Sequence, residues 1–348
     1  MRKEKQVFLL ASRGLGDSVV LADTIHFVEK SNPFLKLVIA GKAANLCVLR
    51  ELGIQAEYIE IPFPASTGKN VNLSSSLKLL ETLSRIRGRG IEVGINPIPD
   101  FREDLAFRLV SCTNTYRGNF SKSEAVTKQC RGFKIVEYGR SVELAPDDIY
   151  SMYRQLFCYA LGISYNGKLN SRYISVSPIQ RILVCPFSGH TSREWPINEW
   201  LILCSLLKQR DLDVSIIFPQ GKSEENQSRT LAFAQLGISV YVPKLEEFVG
   251  LIKEFQLVIC HDSFAAHLAN YFKISTIVVS GSGDYRTWVP SSNVITNGHN
   301  CPTFPCHSRP KCMGSAHELT CINSIKPETV ASAVDKIVTY SYGSQQNS

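Results

Sequence analysis

"QVFLLASRGLGDSVVLAD", residues 6–23, is the stretch whose reading decides the fold. A short apolar run ends in Ala11 and Ser12, and then Gly14 and Gly16 flank one leucine before Asp17. The run suits a buried strand over 6–12, and the apolar-periodic stretch that follows suits a helix over 17–31. Glycines let the backbone turn tightly between the two and leave helix N–H groups free to meet an anion or a sugar. A carboxylate on the first turn of that helix has two readings. It caps the helix and offsets the dipole, or it projects from a strand end as a general base. The glycines alone are not a dinucleotide fingerprint, because its third glycine is replaced by Val19 or Val20.

Working outward, the same alternation recurs. Strands are expected at 35–41, 56–62 and 91–97, with helices at 43–52, 74–87 and 146–162. Residues 163–180, polar and broken by Gly, Asn, Ser and Pro, read as a linker. The alternation then restarts, with strands at 181–188, 214–220, 238–243, 256–262 and 275–281. Helices are expected at 198–209, 224–236, 245–254, 264–272 and 327–340, and residues 341–348 read as a disordered tail. Repeated βα units predict parallel sheets covered on both faces. The fold class is α/β, with two doubly wound domains, 1–170 and 171–348. Ligands in such folds gather at the carboxyl ends of strands.

Bulk properties bound the function. A chain of 348 residues suits two domains. With 44% apolar and 20% charged residues it has the composition of a soluble globular protein. No apolar run approaches the roughly 20 residues of a membrane span. The basic start "MRKEKQVFLLASRG" imitates a signal peptide, but its apolar run breaks at Arg13-Gly14, so a cytoplasmic protein is expected. The net charge of +7 suits anionic small substrates, or peripheral contact with the inner membrane face, better than nucleic acid. "SRIRGRG" (84–90) is the compact basic cluster, and its plainer reading is a solvated helix end.

Each strand end of the second half carries polar residues. "PFSGHTSREWP" (186–196) offers Ser188, Gly189 and Thr191 as donors to a phosphate and Arg193 as a cationic fork. Its other reading is a polar loop over a packed Trp195. "GKSEEN" places Glu224 and Glu225 at a helix start, where they pair with the dipole or accept from ribose hydroxyls. "DSFAAHLAN" places Asp262 and Ser263 at another strand-to-helix turn, with His267 one helical turn on. A lone histidine at that spacing is commonly a core residue. Three polar strand ends on one sheet edge point together to a nucleotide site.

These stretches, in this order, resemble glycosyltransferase family 9, the bacterial ADP-heptose:lipopolysaccharide heptosyltransferases and their relatives. The resemblance runs from about residue 6 to 338 and is sharpest in "PFSGHTSREWPINEWLILCSLL", "LVICHDSFAAHLANYFKISTIVVSGSGDYRTWVP" and "CPTFPC…C…CINSIKPETVASAV". It implies a GT-B fold, two Rossmann-like domains facing across a cleft, with acceptor on the first and nucleotide sugar on the second. It implies sugar transfer with inversion and no cofactor for the chemistry. Asp17 falls at the family's catalytic base and Arg193 at its phosphate-binding lysine. Ser188 falls among the phosphate-loop donors, and Glu225 or Glu224 at the ribose-binding glutamate. Asp262, Ser263 and His267 fall in the Asp-Thr-Gly-x-x-His motif that meets diphosphate and sugar. Arg193 in place of lysine and Phe264 in place of glycine are departures, the second beside the expected donor sugar. The implied partners are a nucleoside-diphosphate sugar and a glycan or glycolipid acceptor, with Asp100 and Arg102 as acceptor-side candidates. A nucleotide-sugar 2-epimerase on the same architecture and a non-catalytic sugar-nucleotide-binding protein are the competing readings.

The sequence holds eleven cysteines. Cys47, Cys112, Cys130, Cys158, Cys185, Cys204 and Cys260 sit in apolar contexts and read as small core residues. Cys301, Cys306, Cys312 and Cys321 cluster among prolines. They read as free thiols or as ligands of a structural zinc or iron ion. Four thiolate ligands leave no open position for catalysis. Relatives with a four-cysteine iron site in this region are part of the resemblance.

Overall fold

The computed structural model describes residues 5–62, 73–119, 138–144, 148–165, 178–220, 224–290, 292–306, 310 and 312–343. The chain divides into two units, Met1–Leu169 and Asn170–Ser348. Cys130 lies outside the described residues.

The first unit carries a six-stranded parallel sheet: β1 (Lys5–Ala11), β2 (Leu35–Gly41), β3 (Glu57–Glu60), β4 (Val93–Asn96), β5 (Asn114–Asn119) and β6 (Arg140–Glu143). Their order is β3-β2-β1-β4-β5-β6. The winding reverses between β1 and β4, which pair directly through Val7↔Val93 to Leu9↔Ile95. Among the described residues, five helices accompany the strands: α1 (Leu15–Glu29), α2 (Ala43–Glu51), α3 (Leu73–Arg87), α4 (Phe101–Val110) and α5 (Ile149–Leu161). One core gathers Phe8, Val38, Leu83, Ile86, Phe107 and Val110. Within it the Phe8 and Phe107 rings meet edge-to-face at 5.2 Å. Helix α1 is buried almost all round, from Ser18 to Val28, and packs against α5 and α2. That is the burial of a helix inside a doubly wound domain rather than of a surface helix.

The second unit repeats the plan with β7 (Arg181–Cys185), β8 (Asp213–Ile217), β9 (Ser239–Tyr241), β10 (Leu257–Cys260), β11 (Ser275–Val279) and β12 (Asn293–Ile295). Their order is β12-β11-β10-β7-β8-β9. Its helices are α6 (Ile197–Lys208), α7 (Glu224–Gln235), α8 (Leu245–Leu251), α9 (Phe264–Tyr271), α10 (Tyr285–Trp288), α11 (Thr320–Asn323) and α12 (Pro327–Gly343). Every residue of β10 and β11 is buried, as expected for central parallel strands covered on both faces. Trp195 and Trp200, both buried, stack edge-to-face at 5.1 Å beneath the loop that follows β7.

The expected elements are present, with additions and corrections. Helix α4 and strands β5, β6 and β12 lie in stretches whose polar composition gives no clear period. The first helix begins at Leu15, so Asp17 is its third residue and not its first. The last helix runs to Gly343, so residues 341–343 do not belong to a disordered tail. There Ser341 is buried and its hydroxyl donates to the Val338 carbonyl at 2.7 Å. Of the described cysteines in apolar contexts, Cys112, Cys158, Cys185, Cys204 and Cys260 are buried, whereas Cys47 is half-buried. Among the described residues no helix is long and apolar enough to cross a membrane.

At Gly41 the β1–β2 pairing leaves no room for a side chain, since a Cβ there would lie 2.4 Å from the Ala11 carbonyl oxygen. The Lys42 amide donates to that same oxygen at 3.2 Å. Gly41→Ala should therefore push β1 and β2 apart at their carboxyl ends. The expected cost is about 1–3 kcal/mol, the range for overpacking, read as a lower midpoint in urea denaturation. An unchanged midpoint would show that this strand pair yields without strain.

Candidate functional site

In the first unit, two loops at the winding reversal meet: the turn after β1 and the segment from β4 to α4. Asn45, at the start of α2, ties down the first. Its amide donates to the carbonyls of Arg13 and Gly14, both at 3.2 Å, and to Ser18 Oγ at 2.8 Å. Asp17 is half-buried, and its Oδ2 accepts the Gly14 N–H at 3.0 Å. Half of the helix-cap reading thus holds, and one carboxylate oxygen is committed to the turn.

Behind Asp17 lies a charged network. Ser12 Oγ donates to Glu103 Oε1 at 2.9 Å, and Arg13 Nη2 donates to Glu103 Oε2 at 3.2 Å. Arg13 also donates to the Ile98 carbonyl. Burial acts against the charge of Arg13, but Glu103, Asp17 and Asp100 together hold the guanidinium above its ordinary range. Burial pushes the Glu103 carboxyl up, against the pull of Arg13. The buried Tyr153 phenol is raised well above its usual value by burial and then by Asp17. Asp17, Arg13, Glu103, Asn45, Asn96 and Tyr153 line a cavity of about 20 Å³.

Asp100 is the N-cap of α4 and accepts from the Arg102 and Glu103 amides at 2.9 and 3.0 Å. Arg102 also donates from its guanidinium to Asp100 at 2.6 Å. Burial would raise the Asp100 carboxyl, yet the bonds from Arg102 and Glu103 hold it below its ordinary value. The helix-start reading of Asp100 is therefore realised, and Arg102 is its ion-pair partner.

In the second unit the corresponding reversal lies between β7 and β10, and Arg193, Asp262 and His267 come together there. Arg193 ends a 3₁₀ turn, Thr191–Arg193, and its Nη1 is 3.7 Å from Asp262 Oδ2. His267 is buried and is held near neutral, its pKa lowered to about 4 by burial and then by Arg193. Ser263 is the N-cap residue of α9, but its side chain makes no capping bond. Its Oγ is sealed from solvent with no hydrogen-bond partner among the described residues. Asp262 packs closely on the turn after β11, where a Cβ on Gly283 would stand 2.5 Å from its carboxylate and displace it. Ser188 and Gly189 lie in the same loop as Arg193, and a Cβ on Gly189 would meet open space. Thr191 is exposed. Glu224 and Glu225 open α7, and their side chains lie outside the described residues.

Sequence reasoning missed several residues that build these turns. Glu194 accepts the Ser188 N–H at 2.9 Å and so closes the phosphate-type loop on itself. His261 accepts the Trp195 N–H on Nε2 at 3.1 Å and donates from Nδ1 to the Val279 carbonyl at 3.0 Å. Burial lowers its pKa to about 4, which keeps the imidazole neutral and fixes that tautomer. In the first unit, Glu103 was legible as the fourth residue of an Asp-x-x-Glu capping box, "DFRE". Arg13, Asn45 and Tyr153 carry no such signal. The Phe264 ring packs edge-to-face on Phe248 of α8 at 5.8 Å.

The four clustered cysteines gather around Cys321. Its thiol is pushed up to about 11 by burial and then by Cys306, Cys301 and Cys312. Cys301 Sγ lies 3.4 Å from Thr303 Oγ1, and hydrogen bonds from Thr303 lower its pKa. Cys312 Sγ accepts the Leu319 N–H at 3.4 Å. Among the described residues, however, no three His, Cys, Asp or Glu side chains are grouped so as to hold one metal ion. The Cys306 amide donates to the Ser282 carbonyl at 3.1 Å, which docks this loop beside the turn that packs on Asp262.

Comparison with known proteins follows the same lines. Residues 162–317 match the family model "Glycosyltransferase family 9 (heptosyltransferase)". A comparison with curated proteins finds no match by sequence. Among solved structures, E. coli heptosyltransferase WaaC with ADP-2-deoxy-2-fluoro heptose is similar at a TM-score of 0.70 and 11% identity, over 95% of this chain and 99% of that one. E. coli ADP-heptose lps heptosyltransferase II gives 0.64 at 12% identity, over 99% and 100%. The iron-containing dodecameric glycosyltransferase TibC from enterotoxigenic E. coli gives 0.56 at 13% identity, over 97% and 77%. The two sheets and their covering helices are thus those of a GT-B protein, and the family model covers most of the unit that holds Arg193, Asp262 and His267. Residues 162–317 thus match glycosyltransferase family 9, and the whole chain shares the GT-B fold of the heptosyltransferase structures it resembles.

Proposed function

We propose that the chain transfers a sugar, heptose or a close relative, from a nucleoside-diphosphate donor, ADP-heptose in the simplest reading, to a hydroxyl of lipopolysaccharide or another surface glycan. Transfer proceeds with inversion and without a metal at the reacting carbon. The observation that carries this reading is the convergence of Arg193, Asp262, His267 and the orphaned Ser263 Oγ at the winding reversal of the second sheet.

Each group has a role in it. Asp17 takes the proton of the acceptor hydroxyl as that oxygen attacks the anomeric carbon, and the bond to the diphosphate oxygen breaks on the opposite face. The leaving diphosphate gains charge as the bond breaks. Arg193 supplies a cationic fork to it, and Ser263 Oγ and the uncapped start of α9 supply polar donors. His267, neutral at physiological pH, donates a hydrogen bond without adding charge. Ser188, Gly189 and Thr191 lie within the same loop and extend the phosphate contacts. Glu224 or Glu225 accepts from the ribose. In the first unit, Arg102 meets an anionic acceptor while Asp100 holds the helix start. A glycolipid acceptor would bring the chain to a membrane surface, and exposed Leu77 and Leu80 beside the basic end of α3 offer an apolar and cationic face for that contact. The four cysteines as placed form no coordination sphere, and no step is assigned to a metal there.

Asp17→Asn should lower kcat by about 10²–10⁴-fold while nucleoside diphosphate binding holds. Product formation from an acceptor panel, with calorimetric titration of ADP, measures both. Wild-type turnover would take Asp17 out of the mechanism. Release of nucleotide with sugar epimerised and no acceptor consumed would replace transfer with epimerisation.

Arg193→Ala removes a charge-assisted contact of about 1.5–3 kcal/mol. The dissociation constant for ADP should rise by roughly 10–100-fold. Unchanged affinity in the same titration would place the diphosphate elsewhere.

Phe264→Gly should change the ratio of kcat/KM between donor sugars, because the ring follows Ser263 at the start of α9 and packs on Phe248 of α8. Its packing on Phe248 is half-exposed, so the loss of stability should be well below the ~3–5 kcal/mol of a core Phe→Ala change. A melting curve and a donor panel on one variant separate the cases. Unchanged donor ratios with a collapsed melting temperature would make Phe264 a packing residue only.

A further inference from the structure

Glu103 joins the two loops of the first unit that flank Asp17. It is buried, at 4% exposure, and sits in the first turn of α4. Its carboxylate accepts from Ser12 Oγ at 2.9 Å, from Arg13 Nη2 at 3.2 Å and from the Asp100 N–H at 3.3 Å, and Arg13 Nε lies 3.1 Å from Oε1. One side chain therefore ties the end of β1 to the start of α4. Arg13 is fixed from two directions, by Glu103 and by the Ile98 carbonyl. Its guanidinium lies within electrostatic reach of Asp17.

The surroundings are closely balanced. Asp17 faces Arg13 from α1, and Asp100, Arg102 and Glu103 stand on or next to α4. Lys42 stands at the start of α2, and the Tyr153 phenol comes from α5. Three cations, Arg13, Lys42 and Arg102, meet three carboxylates, Asp17, Asp100 and Glu103. The polar cavity among them, about 20 Å³, has room for one water molecule. Helix packing alone would not call for an arginine forked onto a buried carboxylate beside the only half-exposed acid of the turn. A buried ion pair seldom adds stability over an apolar pair of the same shape. Its retention here has another use.

Building on the reading of Asp17 as the base, we infer that Glu103 and Arg13 are positioning residues for transfer. Glu103 immobilises Arg13 and the β1–α1 turn, and Arg13 sets the charge beside Asp17. The consequence is electrostatic and has a sign. A neighbouring cation favours the ionised carboxylate, and a neighbouring anion disfavours it. With Glu103 neutralised, Arg13 acts on Asp17 without competition, so Asp17 titrates lower and becomes a weaker base. With Arg13 removed, Asp17 and Glu103 face each other uncompensated, so Asp17 titrates higher.

The test is the acidic limb of kcat against pH for wild type, Glu103→Gln and Arg13→Met. Calorimetric titration of ADP and a melting curve on each variant check that it is folded. The limb of Glu103→Gln should move to lower pH and that of Arg13→Met to higher pH. Both plateaus should fall by about tenfold or more, in line with partial loss of general-base help, and the KM for donor should hold. Arg13→Lys should bring the limb back toward wild type with the plateau still reduced. If Arg13→Met does not fold, the limbs of Glu103→Gln and Arg13→Lys carry the comparison, one displaced to lower pH and the other not. Limbs that coincide with wild type, or that move in the same direction, overturn the inference. The control is Asp17→Asn. If it is inactive and the limbs coincide, only the positioning role falls. If it turns over at the wild-type rate, the reading of Asp17 as the base falls with it.

Discussion

The direct pairing of β1 with β4, and of β7 with β10, is the constraint on which the sites depend. In a parallel sheet every strand delivers its following loop to the same edge. Where the winding reverses, the two adjacent loops lead to helices on opposite faces, and no crossover fills the space between them. In the first unit those loops are Ser12–Asp17 and Pro97–Glu103. In the second they are Pro186–Trp195 and His261–Phe264. Every candidate residue whose side chain is described, outside the cysteine cluster, lies on one of those four loops or on the first turns of the helix that follows it. Strand registers that place Val7 against Val93 and Cys185 against Cys260 thus decide which side chains can meet.

The two reversals are furnished with different physics. The first is ionic, with a buried arginine and glutamate locked by serine, backbone and capping contacts. The second is braced by a neutral ring. His261 bridges the Trp195 amide and the Val279 carbonyl and stacks edge-to-face on Trp200 at 5.2 Å. A buried imidazole that accepts on one nitrogen and donates on the other satisfies both of its polar atoms and brings no charge to a place where a diphosphate is expected. An ionic brace suits the side where the proposed reaction needs one carboxylate poised for a proton. A neutral brace adds no further charge to the side where, in the proposed reaction, a diphosphate meets Arg193.

The fold was largely legible in the sequence because buried parallel strands are near-continuous apolar runs, as in "QVFLLA", "LVIC" and "STIVV". The elements that escaped are the ones whose burial is polar or partial. Strand β5, "NTYRGN", buries Thr115 and Arg117, and the arginine is matched by Asp104 at 2.9 Å. No hydrophobic period announces a strand of that kind. At the sites, the motif residues were legible because chemistry restricts their type. The residues that hold the motifs in place were not. Glu194, His261 and Asn45 act through one or two hydrogen bonds to backbone groups far along the chain or around a turn, and only the fold brings those partners together. Asp17 shows the limit from the other side. Its cap reading and its base reading were posed as alternatives, and the structure commits one carboxylate oxygen to the Gly14 amide, which realises the cap and leaves the base role to the proposed reaction.

In the proposed reaction, Arg193 stands where the resemblance implies a lysine, and the geometry around it suits an arginine. Arg193 must meet two anionic demands, Asp262 within the protein and, in the proposed reaction, the diphosphate. The Arg193–Asp262 separation of 3.7 Å is longer than a charge-assisted hydrogen bond, which lies near 2.7–2.9 Å. An ammonium carries three donors around one compact charge and has no planar fork. A guanidinium presents donors along two edges of a plane, so one edge can stay toward Asp262 while another turns to phosphate. Asp262 in turn packs on Gly283, where a Cβ would stand 2.5 Å from its carboxylate. The carboxylate then fixes where the fork stands, and the length of the pair leaves the fork free to bind.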